Sequence, residues 1–395
     1  MQEFLLVRVK LKQSGRQVRS KIIVLKVSLT IVLLLSFISL SLAQNTQKIF
    51  KDTLDNAFDV SHYLYNLHGL LPVIAPITEP AIGYGAAGAL LYFIPKREKK
   101  DVFQMPDIVA GIGGYTSNDT WFAGGGYIGF WNDDKIRYRG ILGYGDIKLK
   151  YYGAEGSPLQ DNPASFNINS YFLLQQAIAR LGESHFFIGG KYQFTHTNVV
   201  AFEDGKFPVN PLDIDLLASG IGIVTELNHL NNILSPSKGV LLNLTYDQNL
   251  EVIGSDRNYG RLTFFSHMFF PVNKKWVPAL RVELQVATGS PPFYAMPFIS
   301  LRGVPALRYQ GEVTALIETE HQYNFTTRWS VVGFAGIGTA ITRENDTSTN
   351  LTAWNAGGGF RYLMARLLGL RMGLDVARGP EDWAVYVVFG YSWMR

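Results

Sequence analysis

The chain has 395 residues, contains no cysteine and carries a formal net charge of +4 at pH 7. The lack of cysteine excludes disulfide bridges and thiolate metal ligands, and the seven histidines show no metal-ligand spacing, so we predict neither a metal site nor a cofactor. Abundant glycine (39), tyrosine (20) and phenylalanine (25) favour a chain rich in β-strands.

The first predicted element is a secretory signal peptide over residues 1–43. Seven basic residues lie between Arg8 and Lys26, and the uncharged run VSLTIVLLLSFISLSLA follows at residues 27–43. This run is short and ends in small residues, which favours cleavage after Ala43 over a retained anchoring helix. The remaining chain holds 29 basic and 31 acidic residues, a net charge of −2. That balance gives no reason to expect a nucleic-acid partner.

The exported part is predicted to contain a short periplasmic segment, residues 44–74, and one β-rich domain, residues 75–395. Polar and apolar residues alternate along this domain, as in HFFIGGKYQFTH at residues 185–196. Such alternation occurs in soluble sandwiches and in membrane barrels. Aromatic residues at both ends of an apolar strand favour the barrel, because aromatic girdles lie at the two membrane interfaces. In the last strand, one face carries Trp383, Val385, Val387, Phe389, Tyr391 and Trp393.

Turn signals predict the number of strands. They recur at residues 131–135, 236–239, 271–275, 324–328 and 377–382. Sixteen strands would give each strand with its connection 352/16 = 22 residues, which fits roughly ten spanning residues plus a turn. A sheet in lipid must close, because its edge amides find no water there. We therefore predict an all-β fold, a transmembrane antiparallel β-barrel of sixteen strands, with fourteen or eighteen strands as alternatives.

The last strand determines on which side of the membrane each connection lies. We expect this strand to end on the periplasmic side, as C-terminal strands of such barrels do. Residues 342–350 and 377–382 then form extracellular loops, and residues 324–328 form a periplasmic turn. Residues 288–311, which include SLRGVPALRYQG, form a long extracellular loop over the barrel mouth.

The motifs of this loop have a recognisable order. Arg302-Gly303 is followed by Tyr309-Gln310-Gly311, by a glutamate-containing strand and turn within residues 318–338, and by a glycine-rich pair of strands within residues 357–379. Together they resemble the bacterial surface antigen family, the superfamily of BamA, TamA and the two-partner secretion transporters. The resemblance covers most of residues 75–395 and implies an outer-membrane barrel with the long loop folded into its lumen.

The resemblance also implies a site around Arg302. Glu320 matches the family's inward glutamate, and a guanidinium in a lumen needs a carboxylate partner, so we expect Arg302 to pair with Glu320. The family's second inward acid is missing, because its place is taken by Gly336. We expect Glu318 or Asp375 to stand in for it.

Other motif residues receive roles in the loop and at the barrel seam. Gly303 permits the turn at the loop tip, and Gly311 leads into the next strand. Tyr309 is expected either to stack within the loop or to lie at the membrane interface. The first strand, near Tyr84, and the last strand should form a weak seam, with Phe389, Tyr391 and Trp393 on the last strand.

The resemblance implies a machine that assists proteins, or lipids, into or across the bacterial outer membrane. The alternative is a passive porin-like channel for small solutes. An embedded hydrolase is disfavoured, because no Ser and His appear at inward positions on neighbouring strands in an arrangement that suits catalysis, so we predict no enzyme. POTRA-type domains, which most members carry, are not expected in residues 44–74. The predicted partners are therefore outer-membrane lipids, client proteins, a separate periplasmic partner or a second copy of the chain.

Overall fold

The computed structural model describes residues 50–65, 69–78, 81–94, 106–152, 158–160, 162–202, 215–344 and 347–393. The predicted signal peptide lies outside these residues. The chain divides into two compact units, residues 1–65 and 66–395. In the first unit, the short helix α1 (Ser61–Tyr65) begins where Asp59 Oδ1 accepts a hydrogen bond from the Ser61 amide at 2.6 Å. No helix in the described part of the chain is long and apolar enough to cross a membrane.

The second unit is one antiparallel sheet of sixteen strands, so the predicted all-β barrel of sixteen strands is confirmed. Short 3-10 turns lie at Pro158–Gln160, Glu251–Ile253 and Phe293–Ala295. The strands are β1 Gly69–Ile77, β2 Gly85–Ile94, β3 Asp107–Thr116, β4 Trp121–Trp131, β5 Ile136–Tyr151, β6 Ala164–Arg180, β7 Phe186–Phe202, β8 Asp215–Asn228, β9 Gly239–Asn249, β10 Tyr259–Phe269, β11 Trp276–Gly289, β12 Val313–Asn324, β13 Trp329–Glu344, β14 Thr347–Ala365, β15 Leu370–Arg378 and β16 Trp383–Phe389.

The sheet is a nearly closed barrel. Each strand pairs with the next one in the sequence, from β1 with β2 to β15 with β16. The two edge strands, β1 and β16, approach each other. No ladder joins them within the described residues. We call the region between β1 and β16 the seam.

The register separates a polar inner face from an apolar outer face. His267 pairs with Arg281, and Arg281 pairs with Glu318, so these three buried side chains share the inner face. On the outer face, Ile337 pairs with Trp354, and their exposed fractions are 52% and 46%. A membrane barrel requires this arrangement, which is the reverse of a soluble core.

The first strand lies earlier in the chain than the sequence indicated. It begins at Gly69, ahead of residue 75, and Tyr84 lies just before β2 instead of within the first strand. Pro72 and Pro76 hide this strand in the sequence, because proline is unusual in a sheet. Proline is tolerated in edge strands, and β1 is an edge strand of this sheet.

The connection predicted as a loop at residues 342–350 is mostly strand in the structure. β13 continues to Glu344 and β14 begins at Thr347, with Thr342 paired to Thr349. Thr342, Thr347 and Thr349 favour extended structure, so this hairpin continues as a strand pair despite its polar composition.

Candidate functional site

The connection between β11 and β12, residues 290–312, forms a structure that we call the lid loop. The Ile299 amide donates to the Tyr309 carbonyl at 3.0 Å, and the Gly311 amide donates to the Pro297 carbonyl at 3.1 Å. These bonds hold the two arms of the loop side by side. The tip between them carries Arg302.

Apolar contacts anchor the lid loop on two parts of the barrel wall. One cluster joins loop residues to β12, β13 and β14, and another joins loop residues to β6 and β7, which are well separated from β12–β14 in the strand order. The loop therefore spans the lumen. The buried members are Ile299, Leu301 and Val304 with Leu316, Ala340 and Ala353 in the first cluster, and Leu307 with Phe166, Ile168 and Val199 in the second.

Gly303 makes the turn that delivers the loop tip. Its φ of +82° lies in the left-handed region that favours glycine. Its amide donates to Tyr386 Oη of β16 at 2.9 Å. A Cβ added to Gly303 would lie 2.9 Å from the amide nitrogen of Gly379, between β15 and β16. The tip thus packs backbone to backbone against the β15–β16 connection.

Replacing Gly303 with alanine is expected to weaken docking of the lid loop. The left-handed conformation costs alanine about 1–2 kcal/mol, and the approach to Gly379 adds a clash between backbone and Cβ. Because the chain has no cysteine, maleimide labelling of a single cysteine at buried Val304 measures loop release. Gly333→Ala is the control, since a Cβ there meets nothing within 4 Å. Equal labelling rates for the two variants would contradict this account of the tip.

Arg302 contacts three carboxylates at once. Its Nε and Nη2 donate to Glu318 Oε1 at 3.0 and 2.9 Å. Its Nη1 donates to Glu320 Oε2 at 2.8 Å and to Asp375 Oδ2 at 2.7 Å. The guanidinium carbon also lies 3.4 Å from the centroid of the Phe334 ring. The structure therefore brings Arg302 together with Glu318, Glu320 and Asp375.

The neighbouring carboxylates keep the guanidinium of Arg302 protonated. Burial alone would lower the pKa of this guanidinium, but the carboxylates of Glu318, Glu320 and Asp375 outweigh burial and raise the pKa above its ordinary value. Charge-assisted hydrogen bonds of this kind are stronger than neutral ones. The loop tip therefore carries a permanent positive charge into the lumen.

Gly336 leaves no room for the acid that the family pattern would place there. A Cβ at Gly336 would lie 2.7 Å from Asn355 Oδ1 and 3.0 Å from the Cβ of Glu318. Asp375, on β15, supplies a carboxylate to Arg302 from a different strand.

The ion pairs extend beyond the residues that sequence reasoning identified. Arg361 Nη2 donates to Asp375 Oδ2 at 2.9 Å, and Arg281 Nη2 donates to Glu283 Oε2 at 2.6 Å. Arg281 Nη1 also lies 3.4 Å from Glu318 Oε2. We call these seven side chains the lumenal charge network, which contains three arginines and four acids: Arg281, Arg302, Arg361, Glu283, Glu318, Glu320 and Asp375.

The segment after β16 enters this network, which corrects the prediction that Tyr391 and Trp393 face lipid. β16 ends at Phe389, and Gly390 has a φ of +78°. The turn at Gly390 breaks the alternation and points the following residues inward. Trp393 Nε1 donates to Glu318 Oε2 at 2.6 Å, and its exposed fraction is 5%. Of the three residues predicted on the seam strand, only Phe389 lies in β16.

Ser392 adds a second contact between the segment after β16 and the lumenal charge network. Its hydroxyl donates to Glu320 Oε2 at 2.8 Å and accepts a hydrogen bond from Arg361 Nη2 at 2.9 Å. The lid loop and residues 391–393 therefore share the carboxylates of Glu318 and Glu320.

Tyr309 lies in the lid loop, so the interface alternative is wrong. Its hydroxyl donates to Glu381 Oε1 between β15 and β16, and its ring packs beside the apolar cluster of the loop. Burial raises the pKa of Tyr309, and the hydrogen bond to Glu381 raises it further. Arg308 Nε lies 3.2 Å from the same carboxylate oxygen. Gly311 lies at the end of the second arm of the lid loop, where its amide donates to the Pro297 carbonyl.

At the end of the barrel opposite the lid loop, the turn between β8 and β9 contacts the connection between β14 and β15. Asn232 Nδ2 donates to the Leu368 carbonyl at 2.9 Å, and the Arg371 amide donates to Ser235 Oγ at 3.1 Å. These bonds join connections that are far apart in the strand order. Leu230 of the same turn packs beside Trp393.

Comparisons with known proteins bear on the fold of the chain. Residues 179–301 match the Omp85 superfamily domain. No curated protein matches the chain. Among solved structures, BamA from Haemophilus ducreyi lacking POTRA domains 1-3 is similar, with a TM-score of 0.56 and 14% identity over 82% of this chain and 70% of that chain.

Two further solved structures show the same likeness. CdiB from Escherichia coli has a TM-score of 0.59 and 11% identity, and CdiB from Acinetobacter baumannii has a TM-score of 0.55 and 11% identity. Both matches cover 82% of this chain but only 62% and 60% of the CdiB chains, less than two thirds of their length. At sequence identities of 11–14%, the similarity to these structures shows the fold alone. Residues 179–301 thus match the Omp85 superfamily domain, and they lie within a sixteen-stranded barrel whose fold is similar to that of BamA and CdiB.

Proposed function

We propose that this protein assists the insertion of proteins, or of lipids, into the bacterial outer membrane or their translocation across it. The observation that carries the proposal is the seam. β1 and β16 lie next to each other without a ladder between them in the described residues. Unpaired strand edges in lipid are costly, and a client strand can satisfy them by adding to the sheet. The family match and the fold support the same function.

The lid loop supports assisted transport over passive flow. A solute channel needs an open polar path through the lumen. Here the lid loop spans the lumen, and Arg302 is bound by three carboxylates. At the other end, the β8–β9 turn is hydrogen-bonded to the β14–β15 connection, which lies far from it in the strand order. A passive channel is therefore the weaker candidate.

The shared carboxylates connect the lid loop to the seam. Trp393 and Ser392 reach Glu318 and Glu320 only while the chain turns inward at Gly390. If β16 lengthens to pair with a client strand, these two donors leave the network. Arg302 then loses the partners that order its carboxylates, which loosens the lid loop. In this proposal, client docking at the seam and lid movement are linked steps that need no bond-breaking chemistry.

Partners follow from this mechanism. The proposed partners are client proteins and outer-membrane lipids at the seam. A separate periplasmic protein or a second copy of the chain would deliver clients to the periplasmic side.

A disulfide across the seam tests the proposal. The chain has no cysteine, so a cysteine at Ile74 of β1 can be combined in turn with one at Val385, Val387 or Phe389 of β16. In proteoliposomes, the oxidised tether is expected to slow insertion of an unfolded outer-membrane barrel at least tenfold, and reduction is expected to restore the rate.

A tether within a ladder is the control. A cysteine pair at Ile223 and Tyr246, which face each other on β8 and β9, should leave insertion unchanged in both redox states. Full insertion activity with a locked seam would remove the basis for the proposal.

A further inference from the structure

We propose that the lumen binds a phospholipid, with an acyl chain against an apolar wall on the inner face of β1–β4 and the phosphate on Arg139 of β5. This inference deepens the function proposed above and rests on it, because it names a phospholipid as a substrate that enters at the seam. The site lies away from the lumenal charge network, which is built on β11, β12, β14, β15 and the lid loop.

The register shows which residues of β3 and β4 face the lumen. Ile108 pairs with Ile128, and Ile128 pairs with Arg139. From Arg139 the pairing continues through β6, β7, β8 and β9 to Arg261 of β10. The guanidinium of Arg261 donates to the Ala295 carbonyl of the lid loop. Since the lid loop spans the lumen, the whole row faces inward.

The inward positions of β1–β4 form the apolar wall. These positions hold no charged residue, and β1 and β2 hold none on either face. The lumen of a membrane barrel is normally polar, so an apolar inner face is unusual. The larger residues of the wall are Leu71, Leu91, Phe93, Ile108, Ile112 and Ile128.

The apolar wall is open to the lumen. Strand alternation turns Ile112, Ile128 and Phe172 inward, yet their exposed fractions are 45%, 36% and 38%. Between Ile112 and Phe172 the same row contains only Gly124 and Gly143. The two glycines leave a trough along β4 and β5 with an apolar side chain on each flank. Apolar surface in water is unfavourable, and an acyl chain in the trough would cover it.

Arg139 lies at the foot of this trough. It is partly exposed, and it pairs with Ile128 of the wall. Its guanidinium forms no ion pair and no hydrogen bond within the described part of the chain. By contrast, Lys191 Nζ lies 2.8 Å from Asp247 Oδ2. A guanidinium binds a phosphate through two parallel hydrogen bonds, so Arg139 supplies the charge that a phospholipid headgroup requires.

The direction of the trough determines the leaflet that supplies the lipid. Arg139 is three residues from Ile136, where β5 begins at the end of the barrel opposite the lid loop. From the level of Ile108 to that of Ile112 the wall rises roughly 13 Å toward the lid loop. The phosphate would therefore lie near one end of the lumen, with the acyl chain extending inward. In the predicted orientation that end faces the periplasm, so the lipid would come from the periplasmic leaflet.

The seam gives access to the apolar wall. β1 is an edge strand of the sheet and also the first strand of the wall. An acyl chain that passes between β1 and β16 would leave one apolar surface and meet another. It would not have to cross the lumenal charge network.

Fluorescence quenching of the full chain in detergent tests the site. Because the chain has no cysteine, a single cysteine in place of Ile112 can carry a bimane label. Phosphatidylglycerol with brominated acyl chains is then titrated. We expect saturable quenching with one lipid per chain. A diacylglycerol with the same brominated chains lacks the phosphate and should bind at least tenfold more weakly.

Variants in the labelled chain separate the phosphate contact from general effects. Arg139→Gln should lower the preference for phosphatidylglycerol to below twofold, whereas Arg139→Lys should keep at least a fivefold preference. Arg343→Gln, at an exposed position at the end of β13, should leave the preference unchanged. A label at Gln322, on the polar inner face of β12, should show no saturable quenching. Folding of each variant is checked by heat-modifiable migration, since a folded barrel migrates faster until it is boiled.

Several outcomes would overturn the inference. They are no quenching at Ile112, equal quenching at Gln322, equal binding of the two lipids, or an unchanged preference in folded Arg139→Gln. A label at Ile112 that is shielded both from iodide in water and from brominated lipid would mean that a protein segment covers the wall. The titration needs no client protein, and the seam disulfide experiment needs no lipid in the lumen, so the two failures can be distinguished.

Discussion

Replacing Arg302 with methionine is expected to release the lid loop and to destabilise its docked state by about 3–5 kcal/mol, because the lumenal charge network would be left with four acids and only two arginines, Arg281 and Arg361. At a factor of ten for each 1.4 kcal/mol, maleimide labelling of a cysteine at Val304 should accelerate at least about 100-fold. The same variant should raise the conductance of the barrel in planar bilayers, since the loop no longer occupies the lumen.

Two control variants define what the arginine contributes. Arg343→Met removes an exposed arginine at the end of β13 and should leave labelling and conductance unchanged. Arg302→Lys keeps the charge but not the fork of donors that reaches three carboxylates, so an intermediate rate is expected. A steady large conductance in the wild type, with no change in Arg302→Met, would favour the passive channel and count against the lid.

Replacing Trp393 with phenylalanine is expected to loosen the lid loop although Trp393 does not touch Arg302 directly. The change removes the indole N–H, which leaves Glu318 Oε2 with Arg281 Nη1 at 3.4 Å as its remaining partner among the described contacts. Losing one donor to a buried carboxylate costs about 1–3 kcal/mol. Labelling at Val304 should therefore accelerate between about 5-fold and 100-fold.

The matched control is Trp354→Phe, which makes the same change on the outer face of β14, where Trp354 is exposed. It should not alter labelling at Val304. Wild-type labelling in Trp393→Phe would show that residues 391–393 and the lid loop do not act on one another, and the linked movement proposed above would have to be given up.

Local patterns predicted the barrel well. Alternation along β12 placed Glu318 and Glu320 on the inner face, and aromatic ends distinguished a lipid-facing strand from a core strand. Both inferences depend on the side-chain period of two, which is a property of a single strand. Strand number followed from chain length, because membrane thickness fixes the span of a strand.

Contacts between distant strands could not be predicted in the same way. Arg281 and Arg361 face inward by alternation, but their partners depend on how β11, β14 and β15 are staggered around the barrel. The inward turn of Trp393 depends on the single backbone conformation of Gly390. Glycine in a strand can mark a bend or close packing, and the sequence alone does not distinguish them.

The unequal lengths of the strands have a consequence for the surrounding bilayer. β16 has 7 residues and β1 has 9, whereas β6 and β7 have 17 each and β14 has 19. Seven residues rise roughly 23 Å along the strand, or about 17 Å along the membrane normal at the usual tilt, below the roughly 25 Å apolar band of such barrels. Acyl chains beside this low stretch of wall must compress or tilt to avoid exposing their ends. That mismatch lowers the barrier that a polar hairpin meets when it enters the membrane there.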